Sequence, residues 1–246
     1  MNLRYVLDGP AGAPVLVLPS SLGTSIDLWD ENLPHWRAFR TLRYDQRGHD
    51  SVAGLGRDLI RLLDVHDLER VSLCGLSLGG ATAMWVAENA PERVERLVLA
   101  CTSATFGDPD PWLERAALVR EQGVEPIADR ILANWFTPPF ATARAETVTR
   151  FRSLLTGTPR ERYARCCEAI AHWDFRDRLE VISTPTLVVA AAEDPSTPLE
   201  HAEFLAERID RARLAVLPHA AHLANVEQPE PFASLVTEHL VPVEVT

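Results

Sequence analysis

The chain of 246 residues contains no lysine; all 24 of its basic residues are arginine. That absence excludes a Walker-type phosphate loop, a pyridoxal or aldolase Schiff base, a Ser-x-x-Lys penicillin-recognising site and a protein-kinase core, each of which needs a lysine amine. Positive charge is scarce overall, since 35 acidic residues leave a formal charge of −11 and a pI near 5.2. Affinity for nucleic acid comes mainly from phosphate neutralisation, so no nucleic-acid partner is expected. No apolar run approaches the roughly 20 residues of a membrane span. The start, Met1-Asn2-Leu3-Arg4-Tyr5, lacks the charged-then-apolar pattern of a signal peptide. These absences predict a cytoplasmic protein with no membrane partner. Cysteine is sparse too, and no Cys-x-x-Cys pair occurs. Cys74 and Cys101 sit in apolar strand-like runs and Cys166 and Cys167 are adjacent, which reads as buried thiols.

What is present is a chain 46% hydrophobic, enough for one large core with an insertion. Short apolar runs alternate with helical patterns, the signature of an α/β fold with a mostly parallel sheet flanked by helices. Strands are predicted at Val15–Pro19, Thr41–Tyr44, Arg70–Cys74, Arg96–Cys101, Pro185–Ala191 and Arg213–Leu217, with an antiparallel edge at Leu3–Asp8. Helices fit Leu55–Val65, Leu78–Ala90, Leu199–Ile209 and Pro231–Leu240. Residues 103–178 read as a helical lid inserted into a core made of 1–102 and 179–246. The lid aromatics Trp112, Trp135, Phe136, Phe140 and Trp173 are placed either to line a pocket or to pack the lid.

Gly75-Leu76-Ser77-Leu78-Gly79 stands between a predicted strand and an alanine-rich helix, the context a nucleophile elbow requires. A serine hydroxyl needs a base and an orienting acid, expected in the chain order Ser, Asp or Glu, His. Asp194 follows a predicted strand in Ala192-Glu193-Asp194-Pro195, with Glu193 as the competing acid. His222 follows the last strand, with His219 as the alternative base. The His219/His222 pair lacks a third ligand, so no metal is expected. The oxyanion needs preorganised amides, and Leu78 and Leu22 occupy the expected places, after the nucleophile and after the first parallel strand. Ser20 and Ser21 in that loop are candidates to hold it or to touch the ligand.

On these residues the chain resembles the α/β-hydrolases, and more narrowly the 3-oxoadipate enol-lactonases. The resemblance runs through Ser-Leu-Gly-Thr-Ser at 21–25, Leu-Arg-Tyr-Asp-Gln-Arg-Gly-His at 42–49, the elbow at 74–80, Trp-Phe-Thr-Pro-Pro-Phe at 135–140, Ala-Glu-Asp-Pro-Ser-Thr-Pro at 192–198 and Ala-His-Leu-Ala-Asn-Val-Glu-Gln-Pro at 221–229. It implies Ser77, Asp194 and His222 as a catalytic triad, opening of a five-membered enol-lactone that carries a free carboxymethyl arm to give 3-oxoadipate, and no cofactor. Asp50 departs from the glycine usual after His49, and the connection to Leu55 is shorter than usual, as a loop deletion or a missing segment would make it. A general carboxylesterase or cofactor-free perhydrolase is the alternative on the same scaffold, and a ligand-sensing binding protein the more distant one.

The lid holds 11 arginines against 11 acids, so the remaining segments carry the whole −11. An anionic substrate is therefore expected to meet its guanidinium in the lid. Arg130, before Trp135, is the first candidate and Arg144 the next, with Ser21 and Trp135 completing the expected substrate contacts.

Overall fold

A computed structural model describes residues 3–241. Met1 and Asn2, and the last residues of the second core segment, lie outside the described residues. Strands β1 (Tyr5–Asp8), β2 (Val15–Leu18), β3 (Arg40–Tyr44), β4 (Val71–Leu76), β5 (Val94–Ala100), β6 (Thr186–Ala191) and β7 (Ala212–Leu217) form one sheet in the order β1-β3-β2-β4-β5-β6-β7. β1 pairs antiparallel with β3 at the edge and every other pairing is parallel. β4 and β6 are buried at every residue, as strands covered on both faces must be. That burial is why they read as mostly apolar runs instead of alternating ones, with Ser72 and Thr186 as the polar exceptions.

Helices α1 (Val52–Val65) and α2 (Leu78–Asn89) pack together. α1 begins three residues ahead of the predicted start. Gly54 and Gly56 disguise this first turn, since glycine is a poor helix former, yet packing demands both. A Cβ on Gly54 would lie 2.7 Å from the His49 ring, and one on Gly56 2.0 Å from Trp85. The short connection after His49 enters α1 through Asp50 and Ser51, with Asp50 paired to Arg165 at 3.1 Å.

Between β5 and β6 five helices are inserted: α3 (Pro109–Gln122), α4 (Ala128–Trp135), α5 (Pro138–Ala143), α6 (Ala145–Thr156) and α7 (Arg160–Ala171). The two ends of the insertion are pinched together. Thr105 and Asp174 form an isolated bridge, Phe175 N–H donates to Ala104 O at 2.8 Å, and the Trp173 indole donates to Ser103 O at 3.0 Å. Helices α8 (Leu199–Arg208), α9 (Ala224–Glu227) and α10 (Pro229–Leu240) follow among the described residues. All four cysteines are buried and unbridged, as expected. Among the described residues no helix is long and apolar enough to cross a membrane.

The sheet order places the site. From β2 the chain passes to β3 on one side and then returns to β4 on the other, so the loops leaving β2 and β4 diverge and open a crevice at their carboxyl ends. α2 closes on that crevice because its first turn carries no side chains there. A Cβ on Gly75 would sit 2.2 Å from Gly79 O, and one on Gly79 2.1 Å from Pro19 O. Both obstacles are backbone and cannot step aside. Gly79→Ala should therefore destabilise the fold by about 3 kcal/mol through overpacking. Gly12→Ala, at φ +82° with open space around it, should cost only about 1 kcal/mol. Urea unfolding midpoints of the two variants check the ordering.

Candidate active site

Ser77 stands between β4 and α2 with φ 58° and ψ −117°, a conformation that non-glycine residues rarely adopt. Its backbone is held on both sides. Ser77 N–H donates to Ala100 O at 2.9 Å, and Ser77 O accepts from the Thr102 hydroxyl at 2.7 Å and from Ala81 N–H at 3.0 Å. The Ser77 side chain lines a cavity, and its hydroxyl makes no hydrogen bond within the described residues. Leu78 opens α2, where no preceding turn supplies an acceptor for its amide. Across the crevice, the β2 loop turns at Ser21–Thr24 with Gly23 at φ +75°. The Leu22 amide donates to no backbone carbonyl among the described residues. The two serines of this loop divide its tasks. Ser20 accepts from the Trp29 indole and donates to Ser25 O, both at 3.1 Å, which holds the loop, while Ser21 lines the cavity.

His222 lines the same cavity and is 4% exposed. Its Nδ1 lies 2.8 Å from Asp194 Oδ2. Asp194 follows β6 in a turn that its own carboxylate organises. Oδ1 accepts from Ser196 N–H at 2.8 Å and Thr197 N–H at 3.1 Å, and Oδ2 accepts from the Thr197 hydroxyl at 2.6 Å. Burial works to raise the Asp194 pKa. The His222 charge and hydrogen bond, with those of Thr197 and Ser196, outweigh it and hold the carboxyl below its ordinary value. Glu193 and His219 are placed elsewhere: they approach each other at 3.7 Å in solvent, the histidine 89% exposed. The alternative acid and the alternative base thus share an exposed contact outside the cavity.

The insertion supplies more of the wall. Trp135 is buried and faces the cavity beside Ile131 and Asn134, with Trp112, Phe106 and Arg115 coming from the segment before and within α3. Phe136 and Phe140 stack on each other at 5.3 Å and Trp173 stacks on Phe175 at 4.9 Å, so these three pack the insertion. The structure does not bring Arg130 or Arg144 to the cavity. α4 turns Ile131, Asn134 and Trp135 inward at helical spacing, which leaves Arg130 on the exposed side, and Arg144 is exposed between α5 and α6.

Glu227, which drew no functional reading from the sequence, ties this wall to the histidine loop. Its Oε1 accepts from Ala221 N–H at 2.9 Å and Thr137 N–H at 3.1 Å, and its Oε2 from the Thr137 hydroxyl at 2.7 Å. Burial nevertheless pushes its carboxyl above the ordinary value, against those three bonds. Two backbone bonds run alongside, from His222 N–H to Asn134 O at 3.4 Å and from Leu223 N–H to Trp135 O at 3.0 Å. The available signal was an acid five residues after His222 in an apolar stretch, with Thr-Pro ready to cap α5.

A family profile described as alpha/beta hydrolase fold matches residues 14–229. The chain belongs to this family. Within it, the chain is 39% identical over 240 residues to 3-oxoadipate enol-lactonase 2 of Acinetobacter baylyi, covering 94% of this chain and 90% of that protein. Among solved structures it is similar to a hydrolase from Pseudomonas aeruginosa PA01, at 44% identity and a TM-score of 0.93, covering 98% of this chain and 94% of the other. It is also similar to the enol-lactonase from Burkholderia xenovorans LB400, at 33% identity and a TM-score of 0.94, covering 97% and 96%.

The geometry separates the two candidate acids sharply. Asp194→Asn should lower kcat by roughly 10⁴-fold, through a misoriented imidazole, while Glu193→Gln should stay within about twofold of wild type, as exposed charges do. Stability gives a second readout. A pKa lowered on folding stabilises fully above the unfolded value, near 4, and the contribution disappears as pH falls through the folded value. Wild type should lose more stability than Asp194→Asn between about pH 5 and about pH 2, measured by urea midpoints.

Proposed function

We propose that the protein hydrolyses 3-oxoadipate enol-lactone to 3-oxoadipate, a ring-opening step of aromatic catabolism. The observation that carries this reading is that Ser77 and His222 line one cavity while buried Asp194 is bonded behind His222. The enol-lactonase relatives supply the substrate class. Ser77 Oγ attacks the lactone carbonyl carbon as His222 Nε2 takes the hydroxyl proton, and Asp194 keeps the imidazole in the required tautomer. The Leu22 and Leu78 amides donate to the oxygen that becomes negative. Collapse of the tetrahedral intermediate breaks the ring C–O bond. The departing enolate takes the proton from His222 and tautomerises to the ketone, and the acyl group stays on Ser77. Water then gives a proton to His222 and its hydroxyl to the acyl carbon, and a second collapse frees the acid and restores Ser77.

A stabilised enolate is a good leaving group, so protonation by His222 contributes less here than it would for an alkyl ester. The purified protein should turn over the enol-lactone with a kcat/KM about 100-fold or more above that for p-nitrophenyl acetate. A reversed ratio would make it a general esterase. Ser77→Ala should lose at least about 10⁴-fold in kcat with an unchanged circular dichroism spectrum; activity within tenfold of wild type would remove Ser77 from the mechanism.

A further inference from the structure

We propose that Arg115 forms a carboxylate-binding subsite in the cavity, which selects lactones and esters carrying a free carboxylate. This deepens the lactonase reading and rests on it for the reacting group. Seven of the eleven insertion arginines lie within 4.0 Å of a carboxylate: Arg120, Arg150, Arg152, Arg162, Arg165, Arg176 and Arg178. Among the described residues Arg115, Arg130, Arg144 and Arg160 have no such partner, and the last three are exposed. Arg115 alone of the four lines the cavity that Ser77 and His222 share.

Its guanidinium is held in place without being neutralised. The Trp112 and Tyr163 ring centroids lie 5.2 and 5.3 Å from its central carbon, and one terminal N–H donates to the Tyr163 hydroxyl. Nε is buried and has no hydrogen-bond partner among the described residues. Arginine carries five N–H donors in a planar fork that matches a carboxylate, and a stacked guanidinium has already lost the freedom that binding would otherwise remove. Among the described residues no aspartate or glutamate lines the cavity to compete for it. Two other polar groups of the wall are committed, the Trp112 indole to Phe106 O at 3.0 Å and the Thr197 hydroxyl to Asp194, which leaves the neutral Ser21, Asn134 and Ser196 side chains in the wall with the guanidinium. A cation with no carboxylate partner among the described residues thus lines a cavity otherwise walled by aromatic, aliphatic and polar side chains without a carboxylate.

The test compares the carboxymethyl enol-lactone with α-angelica lactone, the same ring bearing a methyl in place of the carboxymethyl. Arg115→Met should lower kcat/KM for the carboxylated lactone about 10- to 100-fold more than for the neutral one, the loss expected for a charge-assisted hydrogen bond. Equal losses on both, or none on either, would overturn the proposal. A binding measurement stands apart from turnover. Adipate should raise the Tm of the wild-type protein, dimethyl adipate should not, and Arg115→Met should abolish the adipate shift. If Arg115→Met does not fold, the adipate and diester arms on the wild type still decide, since equal shifts from the two would overturn the subsite. If wild type leaves both lactones intact while the adipate shift depends on Arg115, the lactonase reading falls and the subsite stands.

Discussion

The approach of α2 to the carboxyl ends of β2 and β4 sets the position of everything that acts in this molecule. Gly75 and Gly79 make it possible, since a side chain at either would collide with backbone. The turn between them can then close only by forcing Ser77 to φ 58°, which costs about 1–3 kcal/mol. The bonds from Ser77 N–H to Ala100 O and from the Thr102 hydroxyl to Ser77 O help hold that backbone against relaxation. The strain orients the serine into the cavity and leaves the first amide of α2 without an intrahelical acceptor. One steric constraint therefore yields both a presented hydroxyl and a free donor.

The acid behind His222 illustrates how a buried charge is kept. Taking a carboxylate out of water costs several kcal/mol, and Asp194 lies in the interior because its turn wraps it in donors: two amides, one hydroxyl and the imidazole. Glu227 solves the same problem less completely. Two donors from the distant Thr137 and one from nearby Ala221 satisfy it, and burial still pushes its carboxyl upward.

How much of this could be read from residues alone depended on whether the signal was local. The elbow, the acid after β6 and the histidine after β7 are each specified by a few neighbouring residues, and the strand pattern fixed their order. The choice between Asp194 and Glu193 was half legible, since Ser196 and Thr197 follow Asp194 at the spacing a carboxylate-centred turn uses. Arg130 misled because the charge arithmetic indicated the insertion but not which face of α4 would turn inward. Arg115 is indistinguishable by sequence from ten other insertion arginines. What marks it is that carboxylates pair with seven of the others and that, of the four left over, it alone lines the cavity, both purely tertiary facts. The first turn of α1 was hidden for a related reason, as Gly54 and Gly56 serve the packing of His49 and Trp85 at the expense of helix propensity.

The bonds from His222 and Leu223 to the end of α4, with Glu227 bridging Ala221 and Thr137, bear on how such a scaffold can be recombined. An insertion held only by its two chain crossings could be exchanged as a cassette. Here the backbone acceptors at Asn134 and Trp135 tolerate any side chain, provided the helix ends at the same place. The Thr137 hydroxyl and the Glu227 carboxylate, by contrast, form a lock and its key encoded 90 residues apart. A chimera that imported a foreign insertion without a hydroxyl at that position would leave a half-buried carboxylate short of a donor beside the histidine loop. Grafted specificity would then arrive with a slackened base, so these two positions are best inherited together.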